Sequence, residues 1–230
     1  MAWMSILAAA SAPGLALLSY IYLKDRYEAE PIAMVGKLFL FGVLSLFPVI
    51  VLQRGALLWL GEDPFVFSFL TTALLEEAAK WLLVVAVIYR HSEFDEPYDG
   101  IVYATAVSLG FATMENLLYA IAEPYSLSSL FFRAILPVTG HALFGIVMGY
   151  YFGRAKFVPY ERAKYLSYSL IFPVFWHGLF DFVLLTAERN WLWLMVPLMA
   201  VLWARSLHKI KRANHQSPLR AFKREEEFKI

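Results

Sequence analysis

With 230 residues, 60% of them hydrophobic and 17% aromatic, the chain carries more apolar surface than a soluble domain of its size needs. The net charge of +1 says little, because the distribution of the charges matters and their sum does not, and the absence of cysteine excludes disulfides, thiolate catalysis and Cys-ligated metals. The apolar residues fall in long blocks and mean hydropathy is +0.57, the pattern of an all-α, multi-pass membrane bundle.

In chain order, stretches long enough to cross a bilayer as helices are expected at 4–23, 32–53, 66–89, 100–122, 130–152, 165–187 and 190–207, about seven in all. Ala10-Ser11-Ala12 resembles a signal-peptidase site, but Met1-Ala2-Trp3-Met4 lacks a basic leader, so the segment reads as a retained first helix. Gly55 to Pro64 reads as an interfacial turn, because Glu62-Asp63-Pro64 does not continue a helix. Short connections favour one bundle over 1–207, followed by a basic tail at 208–230 that also holds Glu225-Glu226-Glu227. That tail suits an anchor at anionic lipid, with no nucleic-acid role.

Lys and Arg in the short loops set the orientation. With the N-terminus outside, Lys24, Arg26, Arg90, Arg154, Lys156, Arg162, Lys164 and the tail from Arg205 are inside, and the outer loops keep only Arg54 and Arg189. The expected topology is N-out/C-in, with the basic loops on the cytoplasmic side.

The third stretch breaks the apolar rule. Glu76, Glu77 and Lys80 lie near its middle, where one ionisable side chain costs roughly 2.5–3.5 kcal/mol. Lys80 stands one helical turn from both glutamates, yet one ammonium cannot neutralise two carboxylates. The balance needs a proton, a metal or a partner helix. Glu115 and Asn116 in the fourth stretch, His141 in the fifth, and His177 and Asp181 in the sixth are the available partners. Counted from the expected outer ends, Glu76, Glu77, His141 and His177 sit roughly 15–18 Å deep, with Glu115 and Asp181 roughly 9–11 Å deep. One polar site between the midplane and the outer face follows. Pro137 and Pro173 each precede a histidine by four residues and can bend the helix beside it. Gly110, Gly140 and Gly178 offer close approach to a substrate backbone.

A buried glutamate can serve as general base on water, and histidines can bind a metal or donate to an oxyanion. That chemistry suits amide hydrolysis. HExxH, GxSG, GxGD, P-loop and GxGxxG signatures are all absent. Two histidines and a carboxylate, here His141, His177 and Glu115, would suit a zinc ion with one open position. A proton-coupled transporter or channel with a carboxylate–histidine relay is the rival from another class.

The motifs themselves resemble a known family. Glu76-Glu77-Ala78-Ala79-Lys80 reads EExxK, Phe111 to Asn116 reads FxxxEN, His177 to Asp181 reads HxxxD, and His141 adds a further position. Their order and spacing are similar to the PrsW family of bacterial intramembrane proteases. Ala12-Pro13-Gly14 and Asp95-Glu96-Pro97-Tyr98-Asp99-Gly100 extend the likeness over most of the chain. The resemblance implies a hydrolase of the stress response that makes the site-1 cut in a single-pass anti-sigma factor, releasing an extracytoplasmic-function sigma factor. It implies Glu76, Glu77, His141 and His177 as catalytic groups, one glutamate being the base, with Lys80, Glu115, Asn116 and Asp181 in support. It also implies a distant relation to the CAAX prenyl endopeptidases, which place a histidine where Glu115 stands.

Overall fold

The computed structural model describes residues 2–122 and 131–220, and every regular element among them is helical. We number the helices α1 (Ala2–Tyr22), α2 (Ile32–Leu60), α3 (64–87), α4 (Asp99–Ala122), α5 (Phe131–Phe157), α6 (Arg162–Thr186) and α7 (Trp191–His215). Five of them, α2 and α4 to α7, are long and apolar enough to cross a membrane; α6 is counted there with the short 3-10 turn Pro159–Glu161 that leads into it. In α1 the apolar part is Leu7–Tyr22, and α3 is interrupted by its charges and by a change of helix type. Glu225, Glu226 and Glu227 lie outside the described residues.

Two boundaries differ from expectation. Helix α2 runs on through Gln53 and Gly55 to Leu60, so the turn is confined to Gly61–Asp63. Gly61 takes a φ of 78°, which suits a residue without Cβ, and the Asp63 carboxylate accepts from the N–H groups of Phe65 and Val66 at 3.0 Å each. Pro64 then opens α3, where a missing N–H costs nothing. Helix α7 continues past residue 207 to His215, so the first part of the expected tail is helical.

Helix α4 is the axis of the bundle. Every residue from Asp99 to Thr113 is buried, as expected of a helix apolar on all sides. By contrast α2 turns Leu40, Leu44, Val51 and Leu52 outward, a lipid-facing surface. In lipid, helices associate through close packing and buried polar contacts, because the solvent is as apolar as leucine. Glycines provide that approach. A methyl group on Gly42 of α2 would strike the Val107 carbonyl of α4, and one on Gly149 of α5 would strike the Gly100 carbonyl. These contacts leave α4 with no room to shift. Gly110 and Gly178 are spent in the same way, against the Phe39 backbone and the Phe69 ring, so neither is free for a substrate.

The two π-helical stretches bear on function. Phe67–Leu74 of α3 and Ala134–Val138 of α5 are wound one residue wider per turn. Each ends just before the polar residues its helix delivers, Glu76 and Glu77 in one case and His141 in the other. Pro137, which has no N–H to give, lies inside the second. Pro173 sits in an α-helix that remains regular. At the other end of the bundle, the α1–α2 connection packs under the start of α4, and burial there pushes the Asp25 carboxyl up to about 6 and the Glu30 carboxyl up to about 7.

Candidate active site

Lys80 is fully buried, and its ammonium organises the centre of the site. Its Nζ donates to Glu77 Oε1 at 2.7 Å and to Glu76 Oε2 at 3.4 Å, both along its own helix. It also donates to His141 Nδ1 of α5 at 3.0 Å and lies 4.3 Å from the centre of the Phe111 ring on α4. One cation therefore ties three helices together.

These contacts fix the histidine tautomers. An ammonium cannot accept, so His141 Nδ1 is the lone-pair nitrogen, and its Nε2–H donates to Glu115 Oε2 at 3.3 Å. His177 Nδ1–H donates to Glu77 Oε1 at 2.9 Å. That leaves His177 Nε2 facing Asp181 Oδ2 at 3.5 Å and Glu76 Oε2 at 4.0 Å. The two imidazoles stand edge to face with centres 5.1 Å apart, and Phe144 stacks on His177 at 5.0 Å.

Glu76, Glu77, His141 and His177 each offer a ligand atom within 4.8 Å of the others, and all four residues are buried. Three features fit a cation among them. Glu77 Oε2 is buried with no hydrogen-bond partner. The 3.5 Å gap from His177 Nε2 to Asp181 is longer than a normal hydrogen bond and close to the separation of two ligands bonded to one metal at about 2.0–2.2 Å, while the 4.0 Å gap to Glu76 is wider. Finally, Lys80 and Arg133 supply the ion pairs for a site that also holds Glu76, Glu77, Glu115 and Asp181. The cluster could therefore hold a metal. Glu115 lies on the far nitrogen of His141, outside that group of four.

A cavity of about 550 Å³ adjoins the cluster, with Glu76, Glu115, His141, His177 and Asp181 in its wall. Glu77 and Lys80 are not in the wall; they sit behind it. The rest of the lining includes Leu57, Phe67, Ala122, Arg133 and Leu185. Those residues belong to the C-terminal ends of α2, α4 and α6 and the N-terminal ends of α3 and α5. The cavity therefore reaches the end of the bundle opposite the α1–α2 connection.

Residues outside the motifs complete the arrangement. Gln53 of α2 donates from Nε2 to Glu76 Oε1 at 3.1 Å. Arg133 of α5 pairs with Glu115 at 3.6 Å and donates from Nε to Asn116 Oδ1 at 2.9 Å. Asn116 in turn donates to the Ala10 carbonyl at 2.9 Å, so it braces α1 and Arg133 and stays out of the cluster. Ser108 Oγ donates to the His141 carbonyl at 2.7 Å, fixing the turn that carries the histidine. Gln53 and Ser108 gave no signal in the sequence beyond being polar in an apolar helix. Arg133 had one, a charge just inside the expected start of its span.

Residues 30–204 match the family described as PrsW family intramembrane metalloprotease. The chain is 50% identical over 210 residues to Protease PrsW of Geobacillus kaustophilus, covering 91% of this chain and 92% of that one. It is 46% identical over 214 residues to Protease PrsW of Bacillus subtilis, covering 91% and 95%. It is 32% identical over 205 residues to Protease PrsW of Clostridioides difficile, covering 85% and 86%. No solved structure matches. A family match across most of the chain, relatives this similar along most of their length, and a buried glutamate–histidine cluster between membrane helices agree: the chain belongs to the PrsW family of intramembrane metalloproteases.

Proposed function

We propose that the protein makes the site-1 cut in a single-pass membrane anti-sigma factor, on the extracytoplasmic side, with Glu76 as general base. The observation that carries this assignment is the division of labour between the two glutamates. Glu77 is enclosed by Lys80 and His177 behind the cavity wall, whereas Glu76 is part of that wall. A general base must reach the proton it removes within about 2.6–3.2 Å, directly or through one water. Glu76 has that access. Lys80 holds Glu77 ionised, and Glu77 in turn fixes His177 with Nε2 toward the reacting space. His141 and His177 flank the position of the scissile carbonyl, and Gln53 orients the Glu76 carboxylate from the opposite wall.

The residues that would hold a divalent ion, zinc by donor type, are His141, His177 and Glu77, with Lys80 giving up its hydrogen bond to His141 Nδ1. Glu115 acts as the carboxylate that orients His141 through its other nitrogen. When bound, such an ion polarises a carbonyl and lowers the pKa of a coordinated water.

The topology in this reading is N-out/C-in with all seven helices crossing. The cavity end then faces outward, where water can satisfy the backbone groups of a substrate strand drawn out of its helix. The test is co-expression with a single-pass substrate, comparing the wild type with Glu76→Gln and sequencing the ends of the membrane-retained fragment. The expected result is cleavage at or beyond the outer end of the substrate helix, lost in Glu76→Gln while the variant still accumulates in the membrane. Full cleavage by Glu76→Gln, or a cut on the cytoplasmic side, would overturn the assignment or the topology respectively.

A further inference from the structure

A second acidic cluster lies at the opposite end of the bundle. Asp25 in the α1–α2 connection, Glu30 just before α2, and Asp99 at the start of α4 each bring a carboxylate oxygen within 4.8 Å of the other two. They are separated in sequence by up to 74 positions, so the fold has assembled them. We propose that these three residues, with Glu96 beside them, form a second binding site for a hard divalent cation of the Mg²⁺ or Ca²⁺ type.

Acidic side chains gathered together say little by themselves, but these are aimed. Each has one oxygen held by a donor. Asp99 Oδ2 accepts from the N–H groups of Asp95 and Glu96 at 2.8 and 2.5 Å. Glu30 Oε2 accepts from the Tyr103 hydroxyl, and Asp25 Oδ1 from the N–H of Tyr27 at 3.4 Å. The second oxygen of Asp99 is buried with no N–H donor and only the Glu30 carboxyl group beside it, and the second oxygen of Asp25 is buried as well. Asp99 is 1% exposed, and its carboxyl group faces that of Glu30. Glu96, also 1% exposed, has both oxygens without a hydrogen bond of normal geometry, the Ser217 side chain being its neighbour from the end of α7.

Carboxylates turned toward one another out of water need a proton or a metal cation between them. Among the described residues, none of the four has an ion pair to Lys or Arg within 4.0 Å. Lys156, whose charge reaches Asp99, is turned to the His91 carbonyl at 3.0 Å and to the Phe94 ring at 4.6 Å. An all-oxygen donor set without histidine selects Mg²⁺, Mn²⁺ or Ca²⁺ over zinc. A cation there clasps the α1–α2 connection to the start of α4, and it shares no residue with the glutamate–histidine cluster.

Two measurements on the purified full-length protein in detergent test the proposal. The first is thermal unfolding with and without Mg²⁺ or Ca²⁺. At a hundred times the dissociation constant the expected rise is about 5–10 °C, absent in Asp99→Asn and Glu30→Gln. The second uses Tb³⁺ as a Ca²⁺ surrogate, excited through Tyr103, whose hydroxyl touches Glu30. Sensitised emission should appear in the wild type, be displaced by Ca²⁺ and persist in His177→Ala, which separates the two sites. Emission lost in His177→Ala, or no emission and no thermal shift in the wild type, would show that protons alone fill the cluster and overturn the proposal.

Discussion

Replacing Lys80 by methionine removes the cation that the glutamate–histidine cluster is built around. Its Nζ is completely buried and contacts Glu77 at 2.7 Å, His141 at 3.0 Å and Glu76 at 3.4 Å. Breaking a buried pair by deleting one partner costs about 3–5 kcal/mol, because the orphaned charge stays out of water. For a chain of this size, that corresponds to a fall of roughly 6–20 °C in melting temperature. The double variant Lys80→Met/Glu77→Gln removes the pair together and leaves Glu76 with its Gln53 hydrogen bond. It should recover most of the lost stability, with a coupling of at least about 1 kcal/mol between the two positions. Neither variant should cleave substrate, since His177 loses the charged partner on Nδ1 or His141 loses its donor. The assay is detergent-phase thermal unfolding of the four proteins in the cycle. Additive losses, with the double variant worse than either single one, would refute the view that Lys80 acts chiefly by compensating Glu77.

Gln53→Leu removes a hydrogen bond to a carboxylate, worth about 1.5–3 kcal/mol when the acceptor is charged. Cleavage should slow by roughly 10–100-fold with membrane accumulation unchanged, read by quantitative immunoblot of substrate and enzyme. Chelation of the purified protease should abolish turnover, and zinc should restore it better than magnesium, with helical content constant by circular dichroism. Gly42→Ala pushes a methyl group into the Val107 carbonyl and should destabilise the α2–α4 contact by about 1–3 kcal/mol. Gly36→Ala on the same helix meets open space and should be neutral or stabilising by up to about 1 kcal/mol in the same melt.

The sequence made the cluster visible because ionisable groups are so costly in an apolar span that their presence alone marks a site. Glu76, Glu77, Lys80, Glu115, His141, His177 and Asp181 all lie around one point in the structure. The level along each helix was legible too, since rise per residue is nearly constant and the residues counted into one slab meet in the structure. What spacing could not give was azimuth. Which carboxylate faces the cavity, and that Asn116 turns to Ala10 and Arg133, depend on how helices are rotated about their axes. Gln53 was hidden for a different reason. As the last residue of the expected span 32–53, Gln53 looks like an ordinary interfacial amide, and only the continuation of α2 to Leu60 sets it well inside the helix, against Glu76. The acidic cluster at the other end had no sequence signal beyond ordinary loop composition, because Asp25, Glu30 and Asp99 meet only through the packing of α1, α2 and α4.

The wide turn at Phe67–Leu74 has a consequence for how the third helix is phased. Upstream of it, Phe65 and Phe69 stack on each other and lock against Phe182 and Gly178 of α6. Downstream, Glu76 and Glu77 must both point at the histidines. A continuous α-helix rotates 100° with each residue, so a single phase would have to serve both contacts. The extra residue in the wide turn uncouples them, like a splice between two screws of the same pitch cut with different starting marks. Substitutions that tighten 67–74 into an ordinary α-helix, with no residue removed, would leave every motif residue in the chain. They would also swing the glutamate pair by about a quarter turn relative to the aromatic anchor. A chain altered in that way would still match the family's EExxK pattern while having no assembled site.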